Sequence, residues 1–423
     1  MEVLHNKRRF YQLSVRQRLD VLLAHGILDP ADTALLLGYK NDQILAVNAR
    51  CSENVLGSWP LPFATVPDFV LNERSYNIPL VTEETSVVAA LNKASKWVRC
   101  AGTLGARTLA SGCWGQLLYL DVACVSSVQS YVTQHNMQLV DYINQKCAPS
   151  MHARGGGCRR IRTRVLADGT LSVDFLMDTV DAMGANLINQ VANRLAVHIT
   201  SYLPNAKAIS ILSNHQPEAL FEATCELGDI PEDMATRIQQ LSNVALVDPY
   251  RAVTHNKGIM NGVDAVLLAT GNDTRAAAAA VHAYASESGQ YKGIARWSYR
   301  GGVLQGVLRM PIPCGVVGGI TKVHPMAQLA LKLLGVSTKA ELGEVVCAVG
   351  LMQNLAALRA LVAEGIVPGH MRLHIDNLLM SVGTDSDTAQ AIWGRCFAYL
   401  QANGGITEQD VVKFVREYQK DKM

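Results

Sequence analysis

The most chemically dense stretch of the chain reads Asp248-Pro-Tyr-Arg-Ala-Val-Thr-His-Asn-Lys-Gly-Ile-Met-Asn-Gly262. Eight of its fifteen side chains can hydrogen-bond, and apolar sequence lies on both sides of it. Polar groups at that density next to core-forming sequence point to a site more than to a solvated loop. Lys257 is its ionisable group best placed for chemistry. Burial lowers an amine's pKa, and the amine can then act as an acid, polarise a carbonyl, or attack one to form a Schiff base. Sixteen residues on, Asp273 ends Ala269-Thr-Gly-Asn-Asp273. Taken alone it is an N-cap for the alanine-rich helix that follows; facing Lys257, it would hold the ammonium protonated and oriented. Glu83 and Glu84 precede another apolar helix, where paired glutamates ordinarily offset the helix dipole. The functional alternative is that one of them is desolvated and passes a proton.

Two further clusters concern ligands. Asp181-Ala-Met-Gly-Ala-Asn186 follows an apolar strand and opens a strongly periodic helix, with Asp181 a natural N-cap and Gly184 and Ala185 small enough for a ligand to approach the backbone. Free amides at a helix start attract phosphate, so a pyrophosphate could sit there; a capped helix with small packing residues is the plainer reading. Gly155-Gly156-Gly157 beside Cys158 and Arg159 is by default a turn. No G-x-G-x-x-G follows a strand, so a standard Rossmann dinucleotide site is not supported. His370 and His374 have metal-ligand spacing on a helix, but no third ligand is near, and no metal is expected. A histidine on the Pro368-Gly369 turn better suits proton delivery from a mobile element.

These residues need elements to hold them. The first fifty residues read as helical, with Asp29-Pro30 an N-cap and preset first residue. Residues 51–81 read as strands and loops, and 86–98 as a helix with Val87, Ala90, Leu91, Ala94 and Val98 on one face. Strands are expected at Gln116–Val122, Ile161–Leu166, Leu171–Met177 and Ala208–Leu212, with helices at Val125–Ile143 and Ala182–His198. Strand, helix, strand, strand, helix, strand is the order of a ferredoxin-like split βαβ unit, here inserted into a larger α/β (α+β) domain. Strands near 303–309, a helix over 341–363 and two helices from about 371 to 420 complete the reading.

Composition narrows the class. With 423 residues the prior is roughly two to three domains. Apolar residues are 49% and charged ones 17%, which excludes a disordered chain. A formal net charge of +2 gives no reason to expect a nucleic-acid or acidic-membrane partner. No run approaches 18 uninterrupted apolar residues, so no membrane span is expected. Ten cysteines without a C-x-x-C pair read as reduced thiols of a cytoplasmic protein.

The ordered set ENVLG (53–57), TEETSVVAA (82–90), GGGCR (155–159), DAMGAN (181–186), ILSN (211–214), the 248–262 segment, ATGND (269–273), VGGITK (317–322), GLMQN (350–354) and GHM (369–371) resembles class II, soluble bacterial-type 3-hydroxy-3-methylglutaryl-coenzyme A (HMG-CoA) reductase. The resemblance implies two hydride transfers from NAD(P)H that turn HMG-CoA into mevalonate, or the reverse, without a metal. It implies that Lys257 polarises the thioester and then the aldehyde carbonyl, that Asp273 tunes Lys257, that Glu84 transfers the aldehyde-step proton, and that His370 protonates the departing CoA thiolate. Arg251, Ser86 and Asn261 match positions that bind the HMG portion. Asp181, Met183, Gly184, Asn186 and Asn214 match the cofactor site. It further implies a large CoA-binding domain (1–110 and 214–366), an inserted cofactor domain (111–213), a C-terminal flap (367–423), and a homodimer with active sites at the interface, possibly assembled further.

Thr85 and Thr274 stand where the family usually has proline and tryptophan, and neither change removes a catalytic group. NADH-using relatives carry an aspartate just before the glycine triplet, able to bond a ribose hydroxyl. Residues 144–154 here hold no acid but do hold Lys146, His152 and Arg154, which leans the expectation to NADPH. The alternatives are a Schiff-base lysine enzyme of carbonyl chemistry and a CoA- or nucleotide-binding homologue without activity.

Overall fold

The computed structural model describes residues 10–38, 42–363 and 375–421. Three short helices, α1 (Val15–Ala24), α2 (Pro30–Leu37) and α3 (Asp42–Cys51), come first. Asp29 caps α2 as expected, accepting from the amides of Ala31 and Asp32. Leu19, Leu22 and Leu28 from this region bury themselves against Leu329 and Leu333 of a helix far along the chain, α13 (Pro325–Leu334).

Next comes an antiparallel hairpin of β1 (Phe63–Leu71) and β2 (Arg74–Val81). Its two-residue turn holds Asn72 and Glu73 at positive φ, the conformation that matches strand twist. Helix α4 (Val87–Ala101) follows, and Val87, Leu91, Ala94 and Val98 are buried at the 4-3-4 spacing of one helical face. The main sheet has the order β3-β8-β10-β9, formed by β3 (Gly102–Thr108), β8 (Leu220–Leu227), β10 (Val303–Pro311) and β9 (Ala295–Arg300), antiparallel throughout.

Three helices matter most for what this sheet supports: α9 (Glu232–Val247), α10 (Pro249–Ala269) and α14 (Lys339–Ala363). The 25-residue α14 is apolar enough to cross a membrane, with a mean hydropathy of 1.8 over its most apolar window. It is instead a core helix, 67% buried over that window between α10, α4 and the sheet. Helix α10 comes close to it at Gly262, where a Cβ would lie 2.5 Å from Gln353 Cγ and 2.8 Å from Val349 Cγ1. Helix α11 (Thr274–Ala285) follows α10, and the short α12 (Gly319–Val323) precedes α13.

Between β3 and β8 the chain builds a second sheet of order β5-β6-β4-β7, from β4 (Cys113–Tyr119), β5 (Gly157–Val165), β6 (Leu171–Asp178) and β7 (Ile209–Leu212). Every pairing is antiparallel, the arrangement expected of a split βαβ unit. Helices α5 (Val125–Gln134), α6 (Asn136–Tyr142), α7 (Pro149–Ala153) and α8 (Ala185–Tyr202) belong to it, and Val128, Leu139, Ile188, Val191 and Leu195 close its core over Leu117, Val173 and Phe175. After α14, helical backbone over 375–381 (α15), α16 (Ser386–Asn403) and α17 (Glu408–Asp421) share a small core of their own around Leu379, Cys396 and Phe414.

Several expectations change in detail. The single helix over 125–143 is broken at His135, whose ring Nδ1 lies 2.9 Å from the Tyr131 carbonyl that its own amide also uses. The helix expected from Ala182 starts at Ala185. The 248–262 segment forms the first two-thirds of the 21-residue α10. Strands β3, β8 and β9 were not among the expected ones.

Candidate active site

Asp248 starts α10, accepting from the amides of Tyr250 and Arg251, with Pro249 in the first helical position. From there the helix divides its polar residues between two faces. His255 and Asn256 turn inward and are 2% and 0% exposed. Lys257 and Asn261, four apart and so on one side, turn outward to the loop after β2. There the Lys257 ammonium donates to Glu84 Oε2 at 2.6 Å, and Asn261 Nδ2 donates to Glu84 Oε1 at 3.3 Å. Glu84 is fixed from its own backbone, its amide donating to Thr82 Oγ1 at 3.1 Å. The Lys257 and Glu84 side chains remain 59% and 37% exposed, so this chain alone does not desolvate the pair.

The inward face carries a buried polar network. Trp297 Nε1 donates to Asn354 Oδ1 at 2.8 Å, and Asn354 Nδ2 lies 3.2 Å from His255 Nε2. Burial, and after it the Arg251 charge, pushes the His255 pKa down to about 4, so the ring is neutral. Beside Asn354, Gln353 donates to the Val87 carbonyl at 2.9 Å and so ties α14 to the start of α4. Ser86, just before that start, is in the left-handed region at φ 74°. These contacts escaped sequence reasoning, although Gln353-Asn354 inside an apolar helix was the signal: polar groups at core positions need partners. Arg251 is half-buried, its Nε has no partner among the described residues, and burial lowers its pKa. A guanidinium in that condition suits a carboxylate.

Asp273 takes the capping role. Its carboxylate accepts from the amides of Arg275 and Ala276 at 3.0 and 3.1 Å and has the Arg275 guanidinium 3.6 Å away. Among the described residues no ion pair joins it to Lys257. Asp273 does line, with Ser86, Asn272 and Arg275, a cavity of about 2220 Å³. Its apolar wall includes Leu19, Trp59 and Leu329, and its polar rim Lys93, Lys96 and Arg99 of α4.

Asp181 is not the N-cap of α8. That position belongs to Gly184, at φ 103° and without a side-chain cap bond. The reason is that Asp181 caps another helix, its Oδ1 accepting from the Lys339 amide at the start of α14 at 3.0 Å. The first amides of α8 are thereby left without a side-chain cap. The same loop touches the segment after β10. Val316 donates to the Asp181 carbonyl at 2.9 Å, and a Cβ on Gly315 would fall 2.4 Å from the Met183 nitrogen. The Gly315 amide in turn donates to Asn272 Oδ1 at 2.8 Å, next to Asp273. Met183 is half-buried here, while Asn186 and Asn214 are exposed.

Around the glycine triplet, Asn144 accepts from the Cys158 amide at 2.7 Å and donates to its carbonyl at 3.2 Å. Lys146, His152 and Arg154 are exposed. His370 and His374 lie outside the described residues, and no metal-binding group of three His, Cys, Asp or Glu occurs among those described.

The family model of hydroxymethylglutaryl-coenzyme A reductase matches residues 14–375. The chain is 36% identical over 393 residues to the 3-hydroxy-3-methylglutaryl-coenzyme A reductase of Archaeoglobus fulgidus, covering 90% of this chain and 88% of that one. It is 35% identical to a probable enzyme of that name from Borreliella burgdorferi, over 77% of each chain. Among solved structures, the class II enzyme of Streptococcus pneumoniae bound to NADPH in open conformations superposes with a TM-score of 0.78 at 36% identity, over 84% of this chain and 99% of that one. A second structure of the Streptococcus pneumoniae enzyme gives 0.78 at 33% identity, over 98% and 99%. With the mixed helix-and-sheet architecture of the class II enzymes and a match through nearly its whole length, this chain belongs to the hydroxymethylglutaryl-coenzyme A reductase family.

Proposed function

We propose that the chain interconverts HMG-CoA and mevalonate plus CoA with two equivalents of NAD(P)H, and that the Lys257–Glu84–Asn261 cluster is where the carbonyl is reduced. The observation that carries this reading is the 2.6 Å Lys257–Glu84 pair itself, a cation donor and a carboxylate held side by side. Forward reduction consumes two hydrides and two protons and releases CoA as a thiol. The ammonium of Lys257 donates to the carbonyl oxygen and stabilises the negative charge it gains, first on the thioester and then on the aldehyde. Glu84 passes a proton to the oxygen in the aldehyde step, and Asn261 holds its second oxygen still. Arg251 and Ser86 receive the HMG carboxylate and backbone. His370 protonates the leaving thiolate, which otherwise adds back to mevaldehyde. Asp273 acts on Lys257 once substrate and a second subunit close the site.

The nicotinamide cofactor supplies hydride when bound. The uncapped amides of α8 at Ala185–Leu187 fit its pyrophosphate, and we assign Asp181, Met183, Gly184, Asn186 and Asn214 to the same cofactor site. Lys146, His152 and Arg154 favour a 2′-phosphate, hence NADPH. The cavity beside Ser86 and Asp273, apolar along one wall and cationic at Lys93, Lys96 and Arg99, fits the CoA arm. We read the chain as a cytoplasmic homodimer, and the exposure of the Lys257–Glu84 pair fits a second copy that excludes water from it. We place the domain limits at 1–110 with 214–366, 111–213 and 367–423.

Absorbance of the reduced nicotinamide, followed with HMG-CoA and NADPH or NADH in separate cuvettes, tests the reading. HMG-CoA-dependent oxidation, faster with NADPH, is expected. A carbonyl substrate trapped covalently on Lys257 by borohydride, with no nicotinamide oxidation, would establish the Schiff-base alternative instead.

A further inference from the structure

Lys339 is a charged residue in a place that opposes its charge. It is the first residue of the 25-residue α14, and only 5% exposed. Aligned peptide dipoles already make a helix start positive, so the local field disfavours an ammonium there. Its ammonium has one hydrogen-bond partner among the described residues, the hydroxyl of Thr179 at 3.4 Å, and no carboxylate within ion-pair range. The thiols of Cys113 and Cys314 lie in its field, but burial holds them up at about 11 and about 12, so they stay neutral and supply no counter-charge. Burying an ion without a counter-ion is costly. A methionine of similar length would avoid that cost.

What the lysine holds is specific. Thr179 is 0% exposed, and its hydroxyl donates to the Ala182 carbonyl at 2.7 Å. Its methyl lies directly under Gly184, where an added Cβ would come within 2.5 Å of it. The backbone amide of the same lysine takes the Asp181 carboxylate, which keeps Asp181 away from the amides of α8. One residue of the main sheet's core helix therefore grips the 179–184 loop at two points and leaves the start of α8 open. Within this loop Val180 sits at φ 51°, a conformation β-branched residues avoid, so the loop needs outside restraint to keep its shape.

We propose that Lys339 is a positioning residue for the nicotinamide cofactor, presetting the 179–184 loop so that the open amides of α8 meet the pyrophosphate. The proposal rests on the reductase reading for the identity of the ligand. Lys339→Met and Thr179→Val, the latter keeping shape while losing the hydroxyl, are compared with the native chain for NADPH and HMG-CoA kinetics and for thermal unfolding. In both variants KM for NADPH is expected to rise about tenfold, with kcat and the HMG-CoA KM changing less than about twofold, because the loss falls on nucleotide binding alone. Lys339→Arg, which retains the cation, should recover part of the loss. A lower Tm with unchanged NADPH KM in Lys339→Met would overturn the proposal, and should that variant not fold, an unchanged KM in Thr179→Val would do the same. NADPH titration by tryptophan fluorescence separates the two failures: a native chain that binds NADPH without turning over HMG-CoA sinks the reductase reading while still testing the loop.

Discussion

His255 and Lys257 stand two residues apart on one helix and serve opposite sides of it. The imidazole is locked inward against Asn354, whose own oxygen is held by Trp297, and the ammonium reaches outward to Glu84. The inward contacts fix the rotation of α10 about its axis, and that rotation aims Lys257. Trp297→Phe would leave Asn354 Oδ1 buried without a donor, at a cost of about 1–3 kcal/mol. Urea unfolding should show that loss, with a smaller fall in kcat than any change at Lys257 produces.

Removing the outward group is a different test. Lys257→Ala is expected to lower kcat by about 10³-fold or more, since it deletes the donor to the developing oxyanion. Glu84→Gln, which keeps the shape but cannot exchange a proton, should spare thioester reduction more than aldehyde reduction. Turnover with added mevaldehyde tells the two steps apart, and equal losses in both would remove Glu84 from its assigned role.

Two groups, one buried and one half-buried, give stability a pH dependence of opposite sign. The folded pKa of His255, about 4, lies below the ordinary value of 6.5, so its contribution is present above 6.5 and is lost as pH falls from there through 4. Burial raises Asp264 from 3.8 to about 6, so its contribution is present below 3.8 and is lost as pH climbs through 6. Asp264 Oδ1 is buried without a partner. Asp264→Asn should therefore raise Tm relative to the native chain at pH 7.5 and lose that advantage at pH 4. His255→Gln should flatten the native fall in Tm between pH 6.5 and 4.5. Scanning calorimetry over that range checks both.

Gly315→Ala is expected to damage nucleotide use. Its Cβ would strike backbone on three sides: the Met183 nitrogen at 2.4 Å, the Ala182 carbonyl carbon at 2.9 Å and the Asp181 oxygen at 3.0 Å. Backbone yields less readily than a side-chain tip, and overpacking costs about 1–3 kcal/mol. A rise in the NADPH KM with a lowered Tm should follow; an unchanged KM would show that the 181–183 loop does not meet the nucleotide.

Much of this was legible in the residues. The second sheet could be read because strand-like runs and helices with one apolar face follow one another in a fixed order, so the expected βαβ order appears in the observed pairing. Strand β8 carried the same alternation, Phe221, Ala223, Cys225 and Leu227 being buried, but two of those four are small and the signal is weak. In segment 248–262 two faces of polar residues, with partners far away in the chain, blur the 3.6-residue period of α10. Asp181 was misassigned for a related reason. A carboxylate shortly ahead of a helix looks like its cap, and nothing local reveals that an amide 158 positions away takes it. Long-range partners of short polar side chains are what a linear reading lacks.

The strands flanking the second sheet have a consequence for how such a chain came to be. Strands β3 and β8 are direct neighbours, paired from Gly102↔Leu227 to Thr108↔Phe221, and Ala110 and Leu220 bond each other's backbone where the excursion leaves and returns. Its two ends are therefore stitched together before any of it is traversed. Deleting 111–219 would leave a gap that a hairpin turn can close, and a longer or unrelated module could be spliced in without moving a strand of the parent sheet. An ancestor lacking the detour is thus mechanically conceivable, and the seam that would have admitted it is still visible as one pair of adjoining strand ends.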